Sequence, residues 1–130
     1  MIFTLPIYYT FERKTKADKK VLVGLNWYRN AHYFSSNQVK KHYLELIKEQ
    51  IIDEELEFPL QATFMVYIKN QRTDPHNVRS VIEKFFYDAL VELGIIPDDN
   101  LKYITETRSF FFMDAENPRI EIIVQKNDRS

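Results

Sequence analysis

The chain has 130 residues, of which 45% are hydrophobic, so its length and composition favour one domain with an apolar core. Eighteen basic and nineteen acidic residues leave a formal net charge of −1, which excludes nucleic-acid binding by overall charge and requires a local basic patch instead. The absence of cysteine excludes a disulfide framework, a thiolate metal site and a thiol nucleophile.

The sequence also argues against membrane insertion and export. No apolar run approaches the roughly 20 residues that span a bilayer, and the Met1–Ile7 start lacks the basic and apolar regions of a signal peptide. We therefore expect a soluble, unexported protein with no membrane partner, and a reducing cytoplasm is consistent with the missing cysteine.

The first half of the chain predicts a hairpin followed by a helix. Residues Ile2–Phe11 and Val21–Leu25 are rich in β-branched and aromatic side chains, and the charged segment between them would form a basic hairpin tip. After a polar and aromatic segment without clear period, Ser35 and Gln38 have the spacing of a capping box. A helix is therefore predicted to begin there and to end near Ile51.

The second half predicts a strand, a helix and two further strands. Residues Leu60–Ile68 alternate between the two faces of a strand, and Val78–Leu93 follow the i, i+3, i+4, i+7 rule of an amphipathic helix that Gly94 ends. Two strand candidates follow, Lys102–Phe112 and Arg119–Gln125, and the residues between them would form a hairpin connection.

The predicted order is β-β-α-β-α-β-β within a single domain, residues 1–130. A mixed sheet with two helices packed on one face is the economical way to bury these apolar stripes. The predicted fold class is therefore α+β, a small two-layer domain.

Acidic residues flank both ends of the predicted helix 78–93. Asp74 precedes Pro75 at its start, and Asp98 and Asp99 follow Pro97 in a turn beyond its end. A hard cation such as Mg²⁺ prefers oxygen ligands, and a helix N-terminus favours phosphate, so this arrangement could gather both. Helix capping by Asp74 and ordinary turn chemistry at the Asp pair explain the same residues without a ligand, and taken singly these explanations are the commoner ones.

Two residues on the helix also have two interpretations. Lys84 and Asp88 are four residues apart, which suits a helix salt bridge, whereas Lys84 could instead stabilise charge on a phosphate. His76 is either an exposed first-turn residue or, beside carboxylates, a ligand for Mn²⁺ or an acid or base.

Candidate DNA contacts come from two kinds of segment. The Asn26–Tyr33 run mixes amide, cationic and aromatic groups that suit a phosphate backbone and unpaired bases, although Tyr and Trp are core residues more often. The basic runs are either solvated faces or phosphate contacts. The predicted contacts are Lys14, Lys16, Arg29, Asn30, His32, Lys40 and Asn77.

The joint spacing of these motifs resembles a known signature, that of RusA-type Holliday-junction resolvases. The resembling elements are Asp74-x-His76-Asn77, Lys84-x-x-x-Asp88-Ala89-Leu90, Gly94 and Asp98-Asp99. The Asn-x-Tyr-Arg-Asn-x-His run, Asn26 to His32, further resembles the phage branch of that family, so the resemblance covers most of the chain.

The resemblance implies a homodimeric α+β nuclease that binds Mg²⁺ or Mn²⁺ and cuts four-way DNA junctions in recombination and repair. By that resemblance Asp74 and Asp99 match metal-binding aspartates, and Lys84 matches an essential lysine. Asp98 and His76 are further candidate metal ligands. The implied location is the cytoplasm of a bacterial host or a phage-infected cell.

One departure from the family pattern is His76, which stands where the family has its second aspartate. Because Mg²⁺ prefers oxygen to imidazole, the substitution predicts weaker metal binding, a shift toward Mn²⁺, or a protein that binds branched DNA without cutting it. The leading hypothesis is a metal-dependent, structure-selective endodeoxyribonuclease. The alternative is a catalytically weakened or inactive branched-DNA-binding protein of the same fold, and a third hypothesis is a small interaction domain with no role on nucleic acid.

Overall fold

A computed structural model describes residues 1–129, which form six strands and three helices. The elements in chain order are β1 (Ile2–Pro6), β2 (Tyr8–Phe11), β3 (Lys19–Leu22), α1 (Leu25–Asn30), α2 (Tyr33–Gln50), β4 (Leu60–Ile68), α3 (Pro75–Glu92), β5 (Ile104–Met113) and β6 (Arg119–Lys126).

A mixed four-stranded sheet forms one layer, in the order β1-β6-β4-β5. Strand β4 is parallel to β5 and antiparallel to β6, which in turn is antiparallel to β1. Along β4 the side chains of alternate residues are buried, as the period of a half-buried strand requires. The predicted α+β fold with a mixed sheet is confirmed.

Helices α2 and α3 form the second layer and cover the buried face of the sheet. The apolar stripe of α3 is fully buried along its length, from Val78 to Leu90. At its centre the Phe86 ring meets Phe3 of β1 edge-on, with centroids 5.1 Å apart, and Phe64 of β4, with centroids 6.0 Å apart. These contacts fix the direction of α3 across the sheet.

The end of α3 also follows the prediction. Its last turn is closed by Gly94, which has a φ of 74°, a conformation that glycine adopts without steric cost. The turn that carries Asp98 and Asp99 therefore starts directly beyond the helix.

The predicted N-terminal hairpin is only partly correct. Ile2–Phe11 is not one strand but two, because the chain bends at Pro6 and Ile7, and the Ile7 side chain is completely buried. Strand β1 joins the main sheet, whereas β2 pairs with β3 in a separate two-stranded hairpin with an exposed tip at residues 12–18. Proline has no N–H for a ladder, which is consistent with a strand end at Pro6.

The predicted start of the second-layer helix at Ser35 is wrong. Helix α2 begins at Tyr33, and the Nδ1 atom of His32 caps it by accepting a hydrogen bond from the Phe34 N–H at 3.3 Å. The predicted capping box does not form, because Ser35 lies inside the first turn of α2, and the Gln38 side chain donates to the Tyr9 hydroxyl at 2.9 Å. The preceding segment, which has no clear period in sequence, contains the short helix α1.

The predicted hairpin of the last two strands is also wrong. Strands β5 and β6 do not pair with each other, because β4 lies between them. Strand β4 is connected through α3 to β5, its parallel partner, and it also pairs antiparallel with β6. Strand β4, which comes earlier in the chain, therefore lies between β5 and β6. Among the described residues, none of the helices has the length and apolar character needed to cross a bilayer.

Candidate nucleic-acid interface

A large cleft opens beside the carboxyl end of β4, where α3 begins. Its volume is about 1080 Å³, and its walls are the β2–β3 hairpin, α1, the start of α2 and the β4–α3 turn. In open parallel α/β sheets ligands commonly bind outside the carboxyl ends of strands, and β4 and β5 are the parallel pair of this mixed sheet. The cleft is therefore in the position where the fold favours a site.

Asp74 lines this cleft and caps α3. Its Oδ1 atom accepts hydrogen bonds from the backbone N–H groups of His76, at 2.9 Å, and Asn77, at 3.3 Å. The capping interpretation of Asp74 thus describes the folded chain. Because the cap occupies these first-turn N–H groups, a phosphate in the cleft has to be bound by side chains rather than by the helix N-terminus.

The Asn26–His32 segment reaches the same cleft from α1 and the α1–α2 connection. Trp27, Asn30 and His32 line it, opposite the α3 start. Arg29 is exposed on α1 but is not part of the lining. The structure therefore brings together two motifs that are more than forty residues apart in sequence, and it places three of the candidate DNA contacts, Asn30, His32 and Asn77, on one surface.

Three cations line the cleft: two belong to the basic run that the sequence offers as either a solvated face or a phosphate contact, and the third was not a candidate. They are Arg13 and Lys19 of the hairpin and Arg72 of the β4–α3 turn. Within residues 1–129 none of the three forms an ion pair, so Lys19 and Arg72 are available to an anion. The Arg13 Nε donates to the Ala17 carbonyl at 2.8 Å, and the acidic Glu12 lines the same cleft. The signal that could have identified Arg72 is its position two residues before Asp74, in the turn that follows a predicted strand.

The other predicted basic contacts are in two different places. Lys14 and Lys16 are exposed on the hairpin tip, next to the cleft wall formed by Arg13. Lys40 lies on α2, where its Nζ is 3.1 Å from the Oδ2 atom of Asp88. The hairpin lysines extend the basic surface of the cleft, whereas Lys40 belongs to the contact between the two long helices.

Lys84 takes part in that same helix contact. Its Nζ is 3.4 Å from Asp88 Oδ2, so one carboxylate bridges two lysines, one from each helix. Lys84 is ten residues beyond Asp74, which is roughly 15 Å along a helix. The salt-bridge interpretation of Lys84 and Asp88 is correct for the folded chain, and Lys84 does not line the cleft.

Asp98 and Asp99 lie in an exposed turn beyond the opposite end of α3. Both Asp98 oxygens are engaged within the turn: Oδ1 accepts from the Asp99 N–H at 2.8 Å, and Oδ2 accepts from Asn100 Nδ2 at 3.1 Å. The Asp99 carboxylate stands near Tyr87, whose pKa burial raises to about 12, with a smaller contribution from the charge of Asp99.

The predicted four-residue metal site does not form within one chain. Asp74 and Asp99 lie beyond opposite ends of α3, whose 18 residues span roughly 27 Å. His76 is at the Asp74 end, with its ring 4.4 Å from the Phe111 ring. No group of three or more His, Asp or Glu side chains suited to a metal occurs among residues 1–129. A site that contains both Asp74 and Asp99 needs a second chain.

Comparisons with known proteins add no family assignment. The chain matches no protein-family model, and it matches no curated protein at a significant level. The resemblance to RusA-type resolvases therefore stays a prediction that rests on the motifs themselves.

Proposed function

We propose that this protein is a structure-selective DNA endonuclease that acts on branched DNA, with a divalent cation held between two chains. The observation that carries the proposal is the cleft at the start of α3. It gathers two carboxylates, Asp74 and Glu12, the amide of Asn77 and three cations that form no ion pair, Arg13, Lys19 and Arg72.

The chemistry of the cleft suits a nucleic-acid backbone. Unpaired arginine and lysine side chains bind phosphate oxygens, and the amides of Asn30 and Asn77 can donate to phosphate or base edges. Trp27, half-buried in the cleft wall, offers an aromatic surface beside these donors. An open cleft with mixed polar and aromatic walls is better suited to an irregular or unpaired DNA segment than to a specific small molecule.

The basic hairpin extends this surface outward. Its tip, residues 12–18, is exposed throughout and carries Lys14 and Lys16. We propose that the tip contacts the phosphates of a duplex arm while the cleft holds the branch point. Because the overall charge is −1, the rest of the surface does not attract DNA, and binding is confined to this basic region.

The proposed cation is Mg²⁺ or Mn²⁺. When bound, such an ion activates water and neutralises charge on the reacting phosphate. One chain supplies Asp74 at one end of α3 and Asp99 at the other, so the proposed ligand set combines Asp74 of one chain with Asp99 of its partner. Helix capping uses only the Oδ1 atom of Asp74, so its Oδ2 atom is available to bind the cation.

A mixing experiment tests the shared site. Neither Asp74→Asn nor Asp99→Asn alone is expected to cut a four-way junction, since each homodimer has two damaged sites. In a mixed dimer one site contains both substitutions and the other contains none, so mixing the two inactive proteins is expected to restore nicking of one strand. Asn also caps helices well, so Asp74→Asn keeps the fold.

The mixture must be compared with each variant alone at the same total protein concentration. Recovery of nicking in the mixture supports ligands from two chains. Persistent inactivity of a mixture that demonstrably exchanges subunits contradicts the shared site, and cutting by either single variant contradicts the role of its aspartate.

The cations of the cleft give an independent prediction for binding. Replacing both Lys19 and Arg72 by alanine is expected to weaken junction binding and to lower the slope of log affinity against log salt by about two, since each phosphate contact contributes about 0.9. The matched control is Lys41→Ala with Lys48→Ala, which removes the same charge from the exposed surface of α2. Equal losses in the two double variants would show that only overall charge matters.

A second candidate function is binding of branched DNA without cleavage. The observation that favours it is His76, whose ring packs against Phe111 where the family pattern has a carboxylate. If this candidate is correct, the wild type is inert with every divalent metal, and His76→Asp gains cleavage because it restores an oxygen ligand. Cleavage by the wild type in Mg²⁺ or Mn²⁺ contradicts this candidate, with His76→Asn as the control for loss of the ring alone.

A further inference from the structure

The two long helices leave a groove between them that opens to solvent. Its volume is about 610 Å³, and none of the described residues lines both this groove and the cleft at the start of α3. Each helix lines the groove with side chains spaced three or four residues apart, the spacing of one helical face. From α2 they include Phe34, Lys41 and Leu44, and from α3 they are Phe85, Ala89 and Glu92.

Apolar side chains form much of the groove. Phe85 and Ala89 are buried core residues, and Leu44 is half-buried against the same core. Phe34, in contrast, is 74% exposed, although it lines the groove with them. Facing side chains of packed helices normally interdigitate, but Ala89 offers only a methyl group to the space between α2 and α3. The groove is therefore an apolar hollow that the chain itself does not fill, and such a surface commonly marks a site for a partner.

Lysines surround one carboxylate beside the groove. The Oδ2 atom of Asp88 lies 3.1 Å from the Nζ of Lys40, which lines the groove, and 3.4 Å from the Nζ of Lys84. One negative charge is thus shared by two cations, so Lys40 is not fully neutralised.

The charges of the lining itself favour an anionic partner. Lys41 is exposed and forms no ion pair within residues 1–129. Glu45, one turn further along α2, lies outside the lining and is not paired with Lys41. Of the described lining residues only Glu92 is acidic, whereas both Lys40 and Lys41 are basic. The lining therefore has an excess of positive charge.

We infer that this groove binds an acidic segment of a partner protein, which places an apolar side chain between Phe34, Leu44 and Phe85 and a carboxylate against Lys41. The apolar side chain supplies most of the affinity, and the carboxylate fixes the orientation of the segment. The inference goes beyond the proposed function, because it concerns recruitment of the protein and no step of DNA cleavage.

The lining is less suited to DNA or to a second copy of the chain. A phosphate backbone offers no apolar side chain to fill the hollow, and the Glu92 carboxylate would repel it. A second copy bound through the same groove would, by two-fold symmetry, bring lysines against lysines. A segment with separate apolar and acidic side chains satisfies both features of the groove.

Selection from a displayed library of random short peptides tests the groove in the full chain. Peptides enriched on the wild type are expected to combine an aromatic or leucine side chain with two or more carboxylates. The most enriched peptide is then synthesised with a fluorescent label, and its affinity is measured by anisotropy. Because a charged contact contributes, the affinity is expected to fall as the salt concentration is raised.

Two substitutions remove the two contacts separately. Phe34→Ala removes the exposed ring, and Lys41→Glu reverses the charge of the unpaired lysine. Each is expected to weaken peptide binding at least about tenfold. Both side chains are exposed, so the fold should be kept, which circular dichroism checks.

Matched control substitutions lie on the same helix but outside the lining. Tyr33→Ala removes an aromatic side chain that is 70% exposed, and Lys48→Glu reverses the charge of another exposed lysine. Neither is expected to change the peptide affinity by more than about twofold. Amide chemical shifts of the isotope-labelled protein should change most around Lys41, Leu44 and Ala89 when the peptide is added.

The inference is overturned by a library that enriches no peptide, by enriched peptides without carboxylates, or by equal losses in the groove and control variants. Displacement of the peptide by a four-way junction would show that nucleic acid uses the groove instead. A wild-type dimer that Phe34→Ala dissociates would assign the groove to a second copy. Failure of the proposed function has a different outcome: a chain that binds the acidic peptide and never cuts DNA keeps this site and removes the nuclease, and a nuclease that binds no acidic peptide does the reverse.

Discussion

Replacing Asp99 by asparagine is expected to abolish cleavage of a four-way junction and to leave junction binding intact or improved. The substitution removes a proposed metal ligand, and loss of a metal contribution of several kcal/mol corresponds to a decrease in rate of at least about 100-fold. Asp99 is exposed, and the turn uses its backbone N–H rather than its carboxylate, so the fold should be unaffected. Removing a negative charge also reduces repulsion of phosphate.

The control for Asp99 is its neighbour. Asp98→Asn makes the same change in charge in the same turn, but the Asp98 carboxylate is already engaged by Asp99 and Asn100. We expect a smaller loss of cleavage for Asp98→Asn, measured as single-turnover rates on a labelled junction. A folded Asp99→Asn protein that loses junction binding, or that cuts at the wild-type rate, would contradict the proposed role.

Replacing Phe86 by alanine is expected to lower the free energy of unfolding by roughly 3–5 kcal/mol, the usual range for a buried phenylalanine. The Phe86 side chain is completely buried, and its ring contacts Phe3 and Phe64, so its loss leaves a cavity between α3 and two strands. Such a loss is a large part of the stability of a small domain. Urea unfolding followed by circular dichroism measures it.

Phe34→Ala is the matched control for this prediction. Phe34 is 74% exposed near the start of α2, so the same change of residue type removes little buried area there. We expect a change within about 0.5 kcal/mol. Comparable destabilisation by the two variants would mean that the Phe86 site is not the centre of the core.

The elements with strong periodicity were predictable from the sequence, and those decided by distant partners were not. In strand β4 and helix α3 the spacing of apolar residues in the sequence matches the spacing of buried residues in the structure. Both elements were therefore predicted to within a few residues. The split between β1 and β2 depends on β6, which pairs with β1 from the far end of the chain. The start of α2 is capped by His32, a residue type that the capping-box pattern does not include, and the Gln38 side chain bonds to the distant Tyr9.

The same contrast between local and distant causes applies to the residues of the candidate site. The capping role of Asp74 was predictable because helix capping is local chemistry, whereas Asn77 was a candidate only through the motif resemblance. Asn30 and His32 were candidates from the composition of their segment and from the resemblance, and their proximity to Asp74 was not predicted. The separation of Asp74 from Asp99 follows from the length of one helix, but sequence spacing treated them as one ligand set. Lys19 and Arg72 reach the cleft only through the folding of a hairpin and a turn around it.

The measurement that tests the central claim most directly is cleavage of a labelled four-way junction, compared with linear duplex, in Mg²⁺ and in Mn²⁺. The proposed function predicts symmetrical nicking of the junction, little cutting of the duplex, and loss of nicking in Asp99→Asn. Tight junction binding without nicking in either metal would contradict the endonuclease and favour the branch-binding protein. Absence of any salt-dependent affinity for DNA would contradict both.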